Sequence, residues 1–148
     1  MKKNIIKLQS VFIPPNGIHL IVNVKINSKT ARLVLDTGAS QTVLDMNRMM
    51  RFTTQKKFEK SDGHSSGIGS SSMESHIFIS EKLEIGDFTI VKKELVLLDM
   101  IHVNNSYALI NKKPVDGVLG GDILKKYKAV INYATKELHL FKKPVKKK

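Results

Sequence analysis

Between His19 and Ile26 the chain alternates with a period of two: Leu20, Val22, Val24 and Ile26 share one face, while Asn23 and Lys25 take the other. Only a strand with one buried face satisfies that spacing, because successive strand side chains point to opposite sides. Asn27-Ser28-Lys29-Thr30 is a polar turn, and Ala31 to Leu35 returns as a more fully apolar strand. Residues 17–35 therefore read as a hairpin that ends at Asp36. The same logic gives a strand over residues 4–13 before the turn Pro14-Pro15-Asn16-Gly17. It also gives a hairpin from His76–Ile85 and Phe88–Leu98 across Gly86-Asp87, a short strand at Val115–Leu119, and final strands at 129–133 and 137–141. Asp45 is expected to cap a short helix through Arg51, since its carboxylate accepts from first-turn amides. Asp122 is expected to start a second helix, through about Lys128. Residues 99–114 read as irregular. Residues 55–75, lysines first and then glycines and serines, read as an exposed, mobile stretch. The expected class is mostly β with two short helices.

At 148 residues the chain has the size of one domain, and a domain this long buries roughly 70% of its unfolded surface. Cysteine is absent, which excludes disulfides, thiolate metal sites and cysteine nucleophiles. The five histidines show no metal-ligand spacing, so no cofactor is expected. No apolar run approaches the ~20 residues of a membrane span. Met1-Lys2-Lys3 mimics the start of a secretory leader, but Lys7, Gln9, Ser10 and Pro14-Pro15 interrupt the apolar stretch after it. The chain reads as cytoplasmic, or as one whose leader has been removed. Net charge is +12, and five of the lysines lie between Lys142 and Lys148. Arginine occurs only at positions 32, 48 and 51, and aromatics are few, so a nucleic-acid partner is not expected. A lysine-rich solvated surface is the simpler reading.

The residues that carry chemistry are Leu33-Val34-Leu35-Asp36-Thr37-Gly38-Ala39-Ser40. A carboxylate directly after three apolar strand residues sits at the end of a buried strand, where isolation from water is costly and favours its protonated form. Thr37 supplies a hydroxyl, and Gly38 allows a tight turn. An ordinary turn would not require an apolar strand before it and Thr42-Val43-Leu44 after it. The halves of the chain echo each other weakly: each runs hairpin, apolar strand, glycine break and a short Asp-capped helix. The second break is Val118-Leu119-Gly120-Gly121.

On these residues the chain resembles the retropepsin-like aspartic proteases over most of residues 18–141. Leu35 to Ser40 is similar to the family's catalytic loop. Gly67-Ile68-Gly69 is similar to its glycine-rich flap, and Val118 to Leu124 to the segment packed behind the catalytic loop. The sequence looks most like cellular, often bacterial, relatives. The resemblance implies a closed, barrel-like acid-protease fold: residues 1–17 an N-terminal strand or arm, 18–141 the protease domain and 142–148 a basic flexible tail. It implies an aspartic endopeptidase acting on peptides or proteins, with Asp36, Thr37 and Gly38 catalytic. Val34, Ala39, Ser40, Gly67, Ile68, Gly69 and Val118 would bind substrate, with residues 62–73 a lid tipped by Ile68. Only one Asp-Thr-Gly is present, so a homodimer must bring two copies of Asp36 together. Ser40 and Gly121 stand where retroviral enzymes often carry Asp and Arg, so the ion pair that supports their dimer is missing.

Two readings compete with proteolysis: a catalytically silent peptide-binding or assembly module on the same fold, and a basic nucleic-acid-binding β-domain. Gly63-His64-Ser65-Ser66-Gly67 matches a nucleophile elbow, but that motif needs a strand before it and a helix after it within a larger α/β sheet, and here the polar run Lys56 to Asp62 precedes and serines follow. Met46, Met49 and Met50 read as core packing.

Overall fold

The computed structural model describes residues 1–53, 59, 60 and 76–144. Eleven strands run through them: β1 (Lys2–Lys7), β2 (Gln9–Ile13), β3 (Gly17–Ile26), β4 (Lys29–Leu35), β5 (Val43–Asp45), β6 (Glu59–Lys60), β7 (His76–Ile85), β8 (Phe88–Leu98), β9 (Gly117–Leu119), β10 (Val130–Asn132) and β11 (Glu137–Lys142). Two helices, α1 (Ile101–Leu109) and α2 (Gly121–Lys126), and a 3₁₀ turn at Met49–Arg51 complete them.

The hairpin inferred from the alternation is β3–β4, paired from Ile26↔Lys29 to Ile21↔Val34. Asn27 and Ser28 at its tip have φ of 50° and 70°, the left-handed pair that a tight two-residue hairpin needs. β7 and β8 pair across Gly86 and Asp87 from His76↔Leu97 to Ile85↔Phe88. The large sheet runs β2-β3-β4-β9-β5-β8-β7-β6, and a further pairing of β3 with β7 closes six of these strands into a barrel. That closure uses the far end of β3, where Lys25 meets Glu84 and Ile26 meets Leu83. The protein is thus mostly β, with a closed barrel and two helices.

Leu20, Val22, Val24 and Ile26 all face the barrel interior, with Leu33, Leu44, Phe78, Leu83, Leu95, Leu97 and Leu119. Each such side chain contributes about 2 kcal/mol by leaving water. Ile21, on the opposite face of β3, is also fully buried, because a second cluster of Met100, Tyr107 and Val115 covers that face.

Four local expectations change. The apolar stretch 4–13 is two strands that part at the buried Leu8: β1 pairs with β11 and β2 with β3. Asp45 caps no α-helix. Its Oδ1 accepts from the amides of Asn47 and Met100 at 3.1 and 3.2 Å, and the chain makes only the 3₁₀ turn. Residues 99–114 are not irregular, since they contain α1. Helical periodicity is missing there, because Ile101, Val103 and Leu109 are exposed. Tertiary contacts hold α1 instead: Asn104 Nδ2 donates to the Val115 carbonyl, and the Val115 amide donates to Asn104 Oδ1. The strand expected from Val115 begins only at Gly117, because the Asp116 backbone is engaged by Arg32 and Asp45.

β9 lies between β4, with which it runs parallel, and β5, with which it runs antiparallel. Space there is minimal: a Cβ on Gly117 would collide with the Val43 carbonyl. Gly117→Ala should therefore lower stability by about 2 kcal/mol or more, as overpacked sites do. Chemical denaturation measures this, and an unchanged midpoint would show that the three strands have slack.

Candidate active site

Asp36 directly succeeds the last residue of β4, and its amide donates to the Leu119 carbonyl at 3.1 Å. The β4–β9 ladder thus extends one residue past the strand and fixes the Asp36 backbone. The chain then turns sharply: the Gly38 amide donates to Asp36 Oδ1 at 2.8 Å and the Ala39 amide to the Asp36 carbonyl at 3.2 Å. A Cβ on Gly38 would stand 3.2 Å from Oδ1, so glycine lets the amide reach the carboxylate. Asp36, Thr37 and Gly38 are all exposed in the single chain. The burial expected for Asp36 is therefore not supplied within one chain, because the turn leaves β4 outward.

The loop from Ala39 to Thr42 crosses the end of β9 to reach β5. The Gly121 amide donates to the Ala39 carbonyl at 2.6 Å and the Asp122 amide to the Ser40 carbonyl at 3.1 Å. The Gly120 amide donates to Thr42 Oγ1 at 3.1 Å, and that hydroxyl donates to Asp122 Oδ1 at 2.7 Å. A Cβ on Gly120 would lie 2.5 Å from the Gln41 carbonyl oxygen, so only glycine permits the crossing. Lys93 Nζ sits 2.7 Å from Asp122 Oδ2. Burial pushes the Asp122 carboxyl up, but the Lys93 ammonium and the Thr42 hydroxyl outweigh it and hold the group below its ordinary value.

Of the residues read as substrate-binding, Val34 and Val118 are register partners on β4 and β9. Both are half-buried against the second apolar cluster. Ala39 is half-buried and Ser40 exposed, and their carbonyls anchor the loop to α2. Gly67, Ile68 and Gly69, and with them the expected lid, lie outside the described residues. Sequence reasoning missed Thr42, Lys93 and Asp122 as loop supports, and missed Tyr107. The Tyr107 hydroxyl lies 2.6 Å from His19 Nδ1, with the rings edge to face. Burial pushes the Tyr107 phenol up, against a smaller opposing effect of Arg32.

Two other carboxylates are buried and fully engaged. Asp116 accepts from the Arg32 amide at 2.8 Å, from Arg48 Nε at 2.7 Å and from Arg51. Asp45 accepts from Asn47, Met100 and Asn104. Their lone pairs serve the scaffold, as buried charges require. Among the described residues no three His, Asp or Glu side chains converge as a metal-binding group. Among the same residues no helix is long and apolar enough to cross a membrane.

A family model described as aspartyl protease matches residues 22–123. The chain belongs to that family. No curated protein matches it. Among solved structures, the aspartyl protease chain is similar to a retropepsin-like aspartic protease from Rickettsia conorii, with 14% identity, TM-score 0.58, and 94% of this chain and 88% of that one covered. It is also similar to the retroviral protease-like domain of Ddi1 from Leishmania major, at 16% identity and TM-score 0.51 over 78% of this chain and 82% of that one. EIAV protease complexed with the inhibitor HBY-793 matches at 21% identity and TM-score 0.50, over 78% and 92% respectively. At these identities the likeness is one of fold, and that fold is retropepsin-like.

The lowered Asp122 carboxyl makes a signed prediction. Its stabilising contribution is complete above the ordinary carboxylate range and is lost as pH falls through the lower folded value. Lys93→Met removes the main stabilising charge, so the acid-unfolding midpoint should move to higher pH, with a loss of about 1 kcal/mol at neutral pH after allowance for solvent screening. Circular dichroism across pH checks this. Identical acid transitions would show that the contact contributes nothing.

Proposed function

We propose that the chain is an aspartic endopeptidase that works as a homodimer, with Asp36 of each copy meeting on the two-fold axis. One observation carries this reading: a single Asp-Thr-Gly loop presents its carboxylate at the surface, while the buried carboxylates of Asp45 and Asp116 are saturated by scaffold donors. One loop supplies one carboxylate, and acid–base hydrolysis of an amide by this route needs two.

When two carboxylates approach within hydrogen-bonding distance, both cannot ionise, so the pair holds one proton. The ionised member accepts a proton from a water as that water attacks the scissile carbonyl. The protonated member donates to the carbonyl oxygen. A tetrahedral gem-diol forms, and its collapse breaks the C–N bond as the leaving nitrogen takes a proton from the pair. In this chain the Gly38 amide holds Asp36 Oδ1, and the Leu119 carbonyl holds the Asp36 backbone, so the carboxylate is oriented before substrate arrives. The substrate in this reading is a peptide in extended form, with apolar side chains flanking the scissile bond and Val34, Ala39 and Val118 as the residues that would line their sites.

Asp36→Asn keeps the volume and the Gly38 contact but can neither accept nor share the proton. Cleavage of a peptide library should fall by at least about 10²–10⁴-fold, with the thermal transition retained. Specific activity should also fall on dilution in parallel with dimer dissociation, monitored by light scattering. Substantial hydrolysis by Asp36→Asn, or full activity in a demonstrated monomer, overturns the reading.

A further inference from the structure

β7 and β8 join through the two-residue turn Gly86-Asp87, so Ile85 and Phe88 exchange backbone bonds with each other. Alternation then turns the N–H and C=O of Thr89 and the N–H of Val91 away from β7. β5, the other neighbour of β8, pairs with it only at residues 96–98. Among the described residues, no strand pairs with the outer edge of residues 89–91. Thr89, Ile90 and Val91 in succession line a groove of about 560 Å³. A strand face shows every second residue, so three in a row mark an edge. Val91 is 71% exposed there.

The rest of the groove is cationic. It is built mainly from the ends of α2 and β11, which are joined where the Phe141 amide donates to the Tyr127 carbonyl at 2.7 Å. Lys126, Lys128, Lys142 and Lys143 stand on it, and no described Asp or Glu lines it. Lys126 Nζ lies 5.5 Å from the centroid of the Tyr127 ring, and Lys142 Nζ lies 5.8 Å from that of Phe88. The two rings are themselves 5.4 Å apart, so an aromatic pair holds two ammoniums in place. Among the described residues, none of the four lysines has a carboxylate partner. Asp122 of α2 is taken by Lys93, and Glu137 of β11 by Lys7. Lysines that guard a strand edge against association sit on that strand. Here the edge shows Thr, Ile and Val, and the lysines come from other elements.

We propose that this groove binds an acidic, extended segment of another protein, which adds as a strand to the open edge of β8. The edge supplies backbone partners, Val91 supplies an apolar contact, and the lysines select carboxylates by charge. Nucleic acid has the charge but not the peptide backbone that a strand edge pairs with, and no arginine lines the groove. The Asp36 loop takes no part in the lining, so the inference goes beyond the endopeptidase reading and stands whether or not the chain cleaves peptides.

The test is fluorescence anisotropy of a labelled ten-residue peptide alternating Glu and Val, titrated with full-length Asp36→Asn protein so that the probe stays whole. Binding should weaken as salt rises, and the matching Lys-Val peptide should not bind. Lys126→Glu combined with Lys142→Glu should weaken binding by about 10-fold or more, since repulsion replaces attraction. Val91→Pro removes one outward N–H and leaves every lysine and the β7 ladder in place. It should weaken binding by about 5-fold or more, and Val91→Ala, which keeps the N–H, by less. The lysine variants carry the test if Val91→Pro fails to fold. Wild-type affinity in the lysine and Val91→Pro variants, or no binding of the Glu-Val peptide, overturns the proposal. An oligothymidylate that binds more tightly, and is weakened by the lysine variants but not by Val91→Pro, overturns it in favour of nucleic acid. A fall in mass by light scattering on Val91→Pro shows a second copy as the occupant and overturns it too.

Discussion

The insertion of β9 between β4 and β5 is the constraint on which the rest of the structure depends. Two strands close in sequence are held apart by a third from the far end of the domain, and the seven residues between them must cross over its tip. Backbone meets backbone at that crossing, which is why Gly117 and Gly120 have no room for a Cβ. The crossing also turns the Asp36 loop outward. Its carbonyls then face the first amides of α2 and its carboxylate faces away. Geometry of this kind leaves little conformational freedom: several short backbone contacts hold the loop, and the Gly38 amide holds the carboxylate.

A second layer of polar contacts locks the barrel to what lies outside it. Asp116 sits at 2% exposure and binds Arg48, just before the 3₁₀ turn, and Arg51, its last residue. Asp45 is as deeply buried and ties the same region to α1 through Met100 and Asn104. Removing one partner of such a pair leaves a buried charge uncompensated, which costs far more than the pair contributes when intact. The face that carries Val34 and Val118 is therefore framed by contacts that cannot be loosened one at a time.

Much of this was legible in the residues. The alternation from Leu20 to Ile26 is the buried face of β3, and Asp36-Thr37-Gly38 does stand where an apolar strand ends. What escaped has physical reasons. The helix α1 shows no periodicity because its apolar residues Ile101, Val103 and Leu109 face solvent and its fixing contacts run through Asn104 to distant chain. The expected helix after Asp45 gave way because that carboxylate is consumed by Met100, 55 positions away. The Thr42, Lys93 and Asp122 triad joins three remote segments, and no local pattern reveals such a meeting. β5 and β9 are three residues each, too short for any period, and exist because their neighbours provide both edges.

The pairing of β1 with β11 has a consequence in time. Lys2 lies opposite Lys142 and Lys7 opposite Glu137, and His139, Thr135 and Lys7 hold the Glu137 carboxyl down to about 2. On the ribosome β1 therefore emerges long before its partner. Contacts so distant along the chain are entropically expensive and form late. Until residues 137–142 have been synthesised, β1 has no strand to pair with, so the small sheet can close only after the barrel's own strands are complete.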